Sequence, residues 1–126
     1  MIDFIDRYFV HNDERGTLEG LINFGNWEEL NMIISEAGVE RGNHYHKETT
    51  ELFIILDGEI KVTVQKIDNG RLVGNAEEVE VKKGDVFVIN PMLNHVFYIV
   101  QKSRWINVLS KPLGTRDQDI FRVDDD

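Results

Sequence analysis

A chain of 126 residues with 41% hydrophobic content is long enough to bury the core of one domain, and its net charge of −9 argues against a nucleic-acid partner, since phosphate contacts need basic patches. The absence of cysteine removes disulfides, thiolate zinc sites and thiol nucleophiles, and fits a reducing compartment. Met1–Asp6 lacks the basic stretch of a signal peptide, and no apolar run approaches the roughly 18 residues of a membrane span, so a cytoplasmic location without a membrane partner is the expectation.

In chain order, the first segment reads as a short N-terminal arm carrying a turn at Asp13-Glu14-Arg15-Gly16. Trp27-Glu28-Glu29-Leu30 has room for one helical turn, and Leu30–Ser35 is the first clear strand. Leu52–Leu56 is an apolar run, and Ile60–Gln65 alternates cleanly between a buried and a wet face. Asp68-Asn69-Gly70 is a hairpin turn. Val79–Lys82, Val86–Ile89, His95–Val100 and Arg104–Leu109 complete the set. Short strands with turn signals between them predict an all-β sandwich or barrel. The predicted organisation is one domain over 1–126, with a barrel core over about 28–110, a short N-terminal arm and an acidic C-terminal tail. Glu77–Glu80 and Asp124–Asp126 read as solvated surface, with the last residues frayed.

Strand parity sorts the faces. With Glu51 inward, Phe53 and Ile55 line the interior, while Leu52, Ile54 and Leu56 point out and are just as apolar. His95, Phe97 and Ile99 oppose Val96, Tyr98 and Val100 in the same way. A sheet apolar on both faces is covered on both, and a second subunit is the natural cover, which predicts a homodimer.

The chemistry concentrates between Gly38 and Gly58. His44 and His46, two residues apart on a strand, project from the same face, and Glu51 opens the following strand. Two imidazole nitrogens and a carboxylate suit a divalent first-row metal, whether zinc, iron, manganese or nickel, and His95 offers a fourth ligand. Read alone, a His-x-His pair is often solvated surface and a single barrel histidine is often an ordinary core residue. Arg41 has the alternative of pairing with Glu40.

Taken together, Gly38, His44-x-His46, Glu51 and Gly58 reproduce the spacing of the first cupin motif, and the chain resembles that superfamily. The second motif is matched in part. Gly84 and His95 stand in place, Asn90 and Met92 occupy positions where proline and glycine are usual, Pro91 falls one place late, and Ile99 replaces a frequent asparagine. The resemblance implies a jelly-roll barrel with His44, His46, Glu51 and His95 as metal ligands. Arg41-Gly42-Asn43-His44 and Asp13-Glu14-Arg15-Gly16 are also similar to elements of the dTDP-4-dehydrorhamnose 3,5-epimerase family, and the first extends to the cupin domain of bifunctional capsular-sugar reductases and to sugar-nucleotide 3,4-ketoisomerases. Gly20 replaces that family's usual glutamate, with Glu19 one place early.

These resemblances imply an epimerase or isomerase of a nucleotide-linked deoxy keto-sugar in polysaccharide biosynthesis, with Arg41 and Arg15 on the diphosphate and Tyr45, Tyr98 or Lys47 carrying the proton. The classical epimerases use the histidine at His44's position as a base, a role incompatible with metal ligation through the same lone pair. An iron-dependent dioxygenase or other small-molecule cupin enzyme is the second reading, and a non-catalytic ligand-binding cupin the third.

Overall fold

The computed structural model describes residues 1–112 and 118–124. Within them run β1 (Ile2–Phe4), β2 (Phe9–Asp13), β3 (Gly16–Gly20), β4 (Glu29–Ser35), β5 (Glu40–His44), β6 (Glu51–Asp68), β7 (Arg71–Lys82), β8 (Val86–Ile89) and β9 (Leu93–Leu109). No helix occurs among the described residues, hence none long and apolar enough to cross a membrane.

Two long strands carry the architecture. β6 and β9 pair antiparallel from Glu51 opposite Leu109 to Lys66 opposite Leu93, and the register shifts between Ile55 and Ile60 where both strands bend. Each half then joins a different layer. One layer runs β1-β8-β6-β9-β4, using Glu51–Ile54 against β8 and Ser103–Leu109 against β4. In the other, Glu59–Asp68 pairs with β7 and His95–Tyr98 with β5. The two antiparallel layers share their central strands, and the result is the predicted jelly-roll barrel. β2 and β3 form a separate two-stranded sheet.

The parity reading is borne out. Phe53, Ile55, Phe97, Ile99 and Trp105 belong to the cluster between the layers, whereas Leu52, Val86, Val88 and Val108 form a second cluster on the outer side. Ile5, Leu21, Ile22 and Trp27 pack on that outer cluster, so the chain's own N-terminal segment supplies part of the cover that the alternation demands. On the edge strand β4 the outward row Leu30, Met32 and Ile34 remains exposed.

Three expectations are corrected. The runs Leu52–Leu56 and Ile60–Gln65 are one bent strand, as are His95–Val100 and Arg104–Leu109, because the residues between them make corners instead of hairpins. Trp27–Leu30 makes no helical turn: Glu28 N–H donates to Leu109 O at 2.8 Å and draws the segment into β4, while the Trp27 indole donates to Phe24 O at 2.8 Å. The C-terminal segment is docked over residues 118–124: Phe121 and Tyr45 exchange two backbone hydrogen bonds of 2.9 Å, and Asp124 N–H donates to Gly70 O at 2.8 Å. Asp125 and Asp126 lie outside the described residues.

Candidate metal centre

The sequence Gly42-Asn43 decides how the site is assembled. Arg41 stands opposite Phe97 and His44 opposite His95, two inward residues of β9, although three positions separate Arg41 from His44. Strict alternation would turn one of them outward. A β-bulge between Gly42 and His44 absorbs the extra residue, with Gly42 at φ 83° and Asn43 at φ 59°. A Cβ on Gly42 would lie 2.9 Å from His95 O, so the strands can approach only because it has none. The bulge thus brings Arg41 and His44 to the same side, and His46 follows two residues later.

His44, His46, Glu51 and His95 converge, their ligand atoms all within 4.8 Å of one another. The three imidazole centroids lie 4.7–5.2 Å apart. Two of the rings are oriented by carbonyls: His46 Nδ1–H donates to Asp119 O at 2.5 Å and His95 Nδ1–H to Leu93 O at 3.0 Å. A carbonyl accepts only, so each bond leaves Nε2 as the nitrogen that faces the cluster. His46 Nε2 is hydrogen-bonded to Glu51 Oε1. His95 Nε2 lies 3.4 Å from the same oxygen, is buried, and makes no hydrogen bond among the described residues.

The turn before β9 matters too. Met92, where the cupin pattern usually has glycine, adopts φ 65°, so the loop keeps the glycine-type conformation with a side chain present. Its N–H donates to His46 O at 2.7 Å and ties that turn to the second histidine.

The electrostatics follow from burial and proximity. Burial, with the rings of His95 and His46 beside it, pushes the His44 imidazole down to about 4. Burial also disfavours charge on His46 and Glu51, but their mutual hydrogen bond and attraction outweigh it. His46 is raised, and Glu51, with His95 also nearby, is held well below the usual carboxylate range.

A divalent cation fits this donor set. It would replace the proton in the His46–Glu51 hydrogen bond, give the orphaned His95 Nε2 a partner, and offset the buried carboxylate charge. The same four residues predicted from the motif are the ones brought together.

A cavity of about 130 Å³ opens beside them, walled by Arg41, His44, Glu51, Phe97, Trp105 and Asn107 among others. Phe53, Phe97 and Trp105 form its aromatic floor, with centroid separations of 4.8–5.7 Å. Arg15 is at the tip of the β2–β3 hairpin, paired with Asp13 at 2.5 Å, and lines none of this cavity. Neither tyrosine faces it. Tyr45 is 4% exposed and stacks on Phe121 at 5.7 Å, and Tyr98 is 45% exposed on the outer face. Lys47 Nζ sits 4.0 Å over the Phe121 ring.

Asn107 and Asp119 are not among the site residues singled out from the sequence. Asn107 donates Nδ2–H to Glu51 Oε2 at 3.3 Å, which turns its Oδ1 away from the carboxylate; that oxygen is buried without a partner among the described residues. A polar residue two places from Trp105 in an inward row was a usable signal for it. Asp119 gave no signal, because its role depends on where the tail docks.

Residues 11–111 match the family described as Polysaccharide biosynthesis C-terminal domain. Over 75 residues the chain is 28% identical to the UDP-2-acetamido-2,6-beta-L-arabino-hexul-4-ose reductase of Pseudomonas aeruginosa, covering 57% of this chain and 20% of that protein. The chain therefore spans about a fifth of the length of that curated relative. Among solved structures it is similar to a sugar 3,4-ketoisomerase of Thermoanaerobacterium thermosaccharolyticum in complex with TDP (TM-score 0.72, 17% identity, 96% of this chain and 87% of that one). It is also similar to the dTDP-4-dehydrorhamnose 3,5-epimerase of Sulfolobus tokodaii (TM-score 0.73, 19% identity, 93% and 79%). Identities this low establish a common fold, and the family match adds membership, since it takes in most of the sequence. The protein belongs to the polysaccharide biosynthesis C-terminal domain family and is built as a cupin barrel.

Proposed function

We propose that this chain is a metal-dependent epimerase or isomerase of a nucleotide-linked keto-sugar in polysaccharide biosynthesis. The observation that carries the reading is the convergence of His44, His46, Glu51 and His95 around an unpartnered buried nitrogen, beside a cavity in a fold shared with nucleotide-sugar isomerases and epimerases. A divalent ion held by these four residues would supply Lewis acidity towards a carbonyl and the enolate oxygen that develops from it.

The chain's own residues do the rest. Arg41, exposed at the rim, presents a planar fork of donors suited to a diphosphate. The cavity has room for the reacting end of the ligand, which leaves the nucleotide outside the barrel. Phe53, Phe97 and Trp105 keep the floor dry, and a dry floor strengthens every polar contact made above it. Asn107 Oδ1 accepts a hydrogen bond from a sugar hydroxyl while its amide holds Glu51.

The deciding experiment is metal content by mass spectrometry on protein purified without chelators, beside His95→Ala. The reading expects close to one equivalent of a transition metal in the wild type and its loss in the variant. A wild type that is metal-free and resists reloading overturns the metal-dependent mechanism. It would leave His44, whose ring makes no hydrogen bond among the described residues, as the candidate base. Screening nucleotide sugars for solvent-deuterium exchange at carbons beside the ketone then tests the reaction class.

Asn107→Leu is expected to lower turnover of a hydroxylated sugar by about 10–100-fold, the effect of losing one or two hydrogen bonds of about 1–2 kcal/mol. It should have less effect on an analogue lacking the recognised hydroxyl. Equal losses on both substrates would reduce Asn107 to a support for Glu51.

A further inference from the structure

Residues 119–122 run alongside residues 42–49 and hold that stretch at both ends. At one end, the Asp119 carboxylate accepts the backbone N–H groups of Lys47 at 2.9 Å, Glu48 at 2.7 Å and Thr49 at 2.8 Å, together with Thr49 Oγ1–H at 2.9 Å. Its own carbonyl takes His46 Nδ1–H at 2.5 Å. At the other end, Arg122 Nη1 donates to Gly42 O at 3.0 Å and Asn43 O at 2.9 Å, the two carbonyls of the bulge that sets His44. Between them Phe121 bridges Tyr45, the residue that separates the two histidines.

Such a set of contacts is more than a docked tail needs. Three successive amides converging on one carboxylate fix the path of the chain just after His46. The carbonyl of the same residue fixes the ring's rotation and directs Nε2 inward, the role that outer hydrogen bonds play for ligating histidines. All of these anchors lie beyond residues 11–111, the stretch that carries the family's pattern.

We infer that the segment 119–122 is a clasp that positions the His44–His46 pair for metal binding, with Asp119 as the positioning residue for His46. This rests on the metal-binding reading of the site, but one arm of its test does not. A ring that is held by its Nδ1–H keeps that proton from exchange in the metal-free protein. His95, held by Leu93 and not by the clasp, is the internal control.

The test uses the full chain, wild type against Asp119→Ala and Asp119→Asn. Two quantities are read: the protected Nδ1–H resonances of His46 and His95 by NMR on metal-free protein, and the rate at which a chelator strips zinc from loaded protein. Asp119→Ala keeps the backbone carbonyl that His46 uses but removes the four side-chain bonds to residues 47–49 that hold it in place. The clasp predicts that the carbonyl then shifts, so that the variant loses the His46 resonance, keeps that of His95, and releases zinc about 10–100-fold faster. Asp119→Asn, which retains an acceptor oxygen, restores part of both. A His46 resonance unchanged in Asp119→Ala overturns the clasp, whatever happens to stability. Loss of both resonances together overturns it as well, because a general loosening of the barrel would then be the cause. If the wild type takes up neither zinc nor any other divalent transition metal, the metal-dependent function proposed above fails, and the NMR comparison still decides the clasp.

Discussion

Replacing Glu51 by alanine is expected to remove about 3–5 kcal/mol of stability from the metal-free protein and to abolish metal retention. The carboxylate is 3% exposed, sits between His46 and His95, and takes a further hydrogen bond from Asn107. Breaking a buried pair by deleting one member leaves the other charged or polar groups without compensation, and that is where the figure of about 3–5 kcal/mol comes from. His46 is then left without the carboxylate that favours its charge, and the Asn107 side chain loses its one hydrogen-bond partner among the described residues while its Oδ1 is already unpaired there. Urea denaturation of chelator-treated wild type and variant measures the difference. A loss under about 1 kcal/mol would mean that the pair barely offsets its own desolvation in the wild type, and the argument for a site that depends on metal or proton to hold its charges would fall.

The pH dependence of that difference gives a second check on the cause. Glu51 is lowered from 4.5, so its contribution is present above that value and is lost as pH falls through the lower folded value. His46 is raised from 6.5, so its contribution is present below that value and is lost as pH rises through the higher folded value. The gap between wild type and Glu51→Ala is therefore widest between about pH 4.5 and 6.5 and narrows on both sides. Metal uptake instead changes in one direction, strengthening as pH rises and His46 surrenders its proton.

The convergence of His44, His46, Glu51 and His95 was legible because its geometry is local. A two-residue spacing on a strand, and a carboxylate at the head of the next strand, survive any detail of the fold that leaves the strands in place. His95 needed only the pairing of β5 with β9 to arrive opposite His44. The inner and outer rows were equally readable, since parity along β6 and β9 is intrinsic to the pleat. What the sequence concealed was longer in range or smaller in scale. The bulge at Gly42-Asn43 depends on two positive φ angles, and it is what allows Arg41 and His44 to share a side. Asp119 and Arg122 act on residues more than seventy positions away, through a docking path that no local pattern encodes. The tyrosines illustrate the reverse: each is of a type suited to proton transfer, and each is directed elsewhere by packing, Tyr45 against Phe121 and Tyr98 to the outer face.

Gly58→Ala is expected to cost about 2–5 kcal/mol, combining about 1–2 for a side chain in the left-handed region with about 1–3 for overpacking. Gly58 lies at the corner where β6 leaves one layer of the barrel and enters the other, with φ 97° and register shifts on either side. A Cβ there would stand 2.2 Å from Ser103 Oγ, 2.6 Å from Lys102 O and 2.7 Å from Ser103 Cα. Ser103 belongs to the matching corner of β9, and its hydroxyl is held by Gln101 O at 2.7 Å, so it has little freedom to swing aside. Moving the backbone of Lys102 and Ser103 instead would disturb the pairing that joins the two layers. The motif glycine is thus required by the crossing of two bent strands, with no direct part in ligation. Two measurements separate these roles: denaturant midpoints should fall by the amount above, while the fraction that remains folded should retain the wild-type metal stoichiometry. A variant that keeps its stability but loses metal would reverse the assignment, making Gly58 part of the site and the corner tolerant of a side chain.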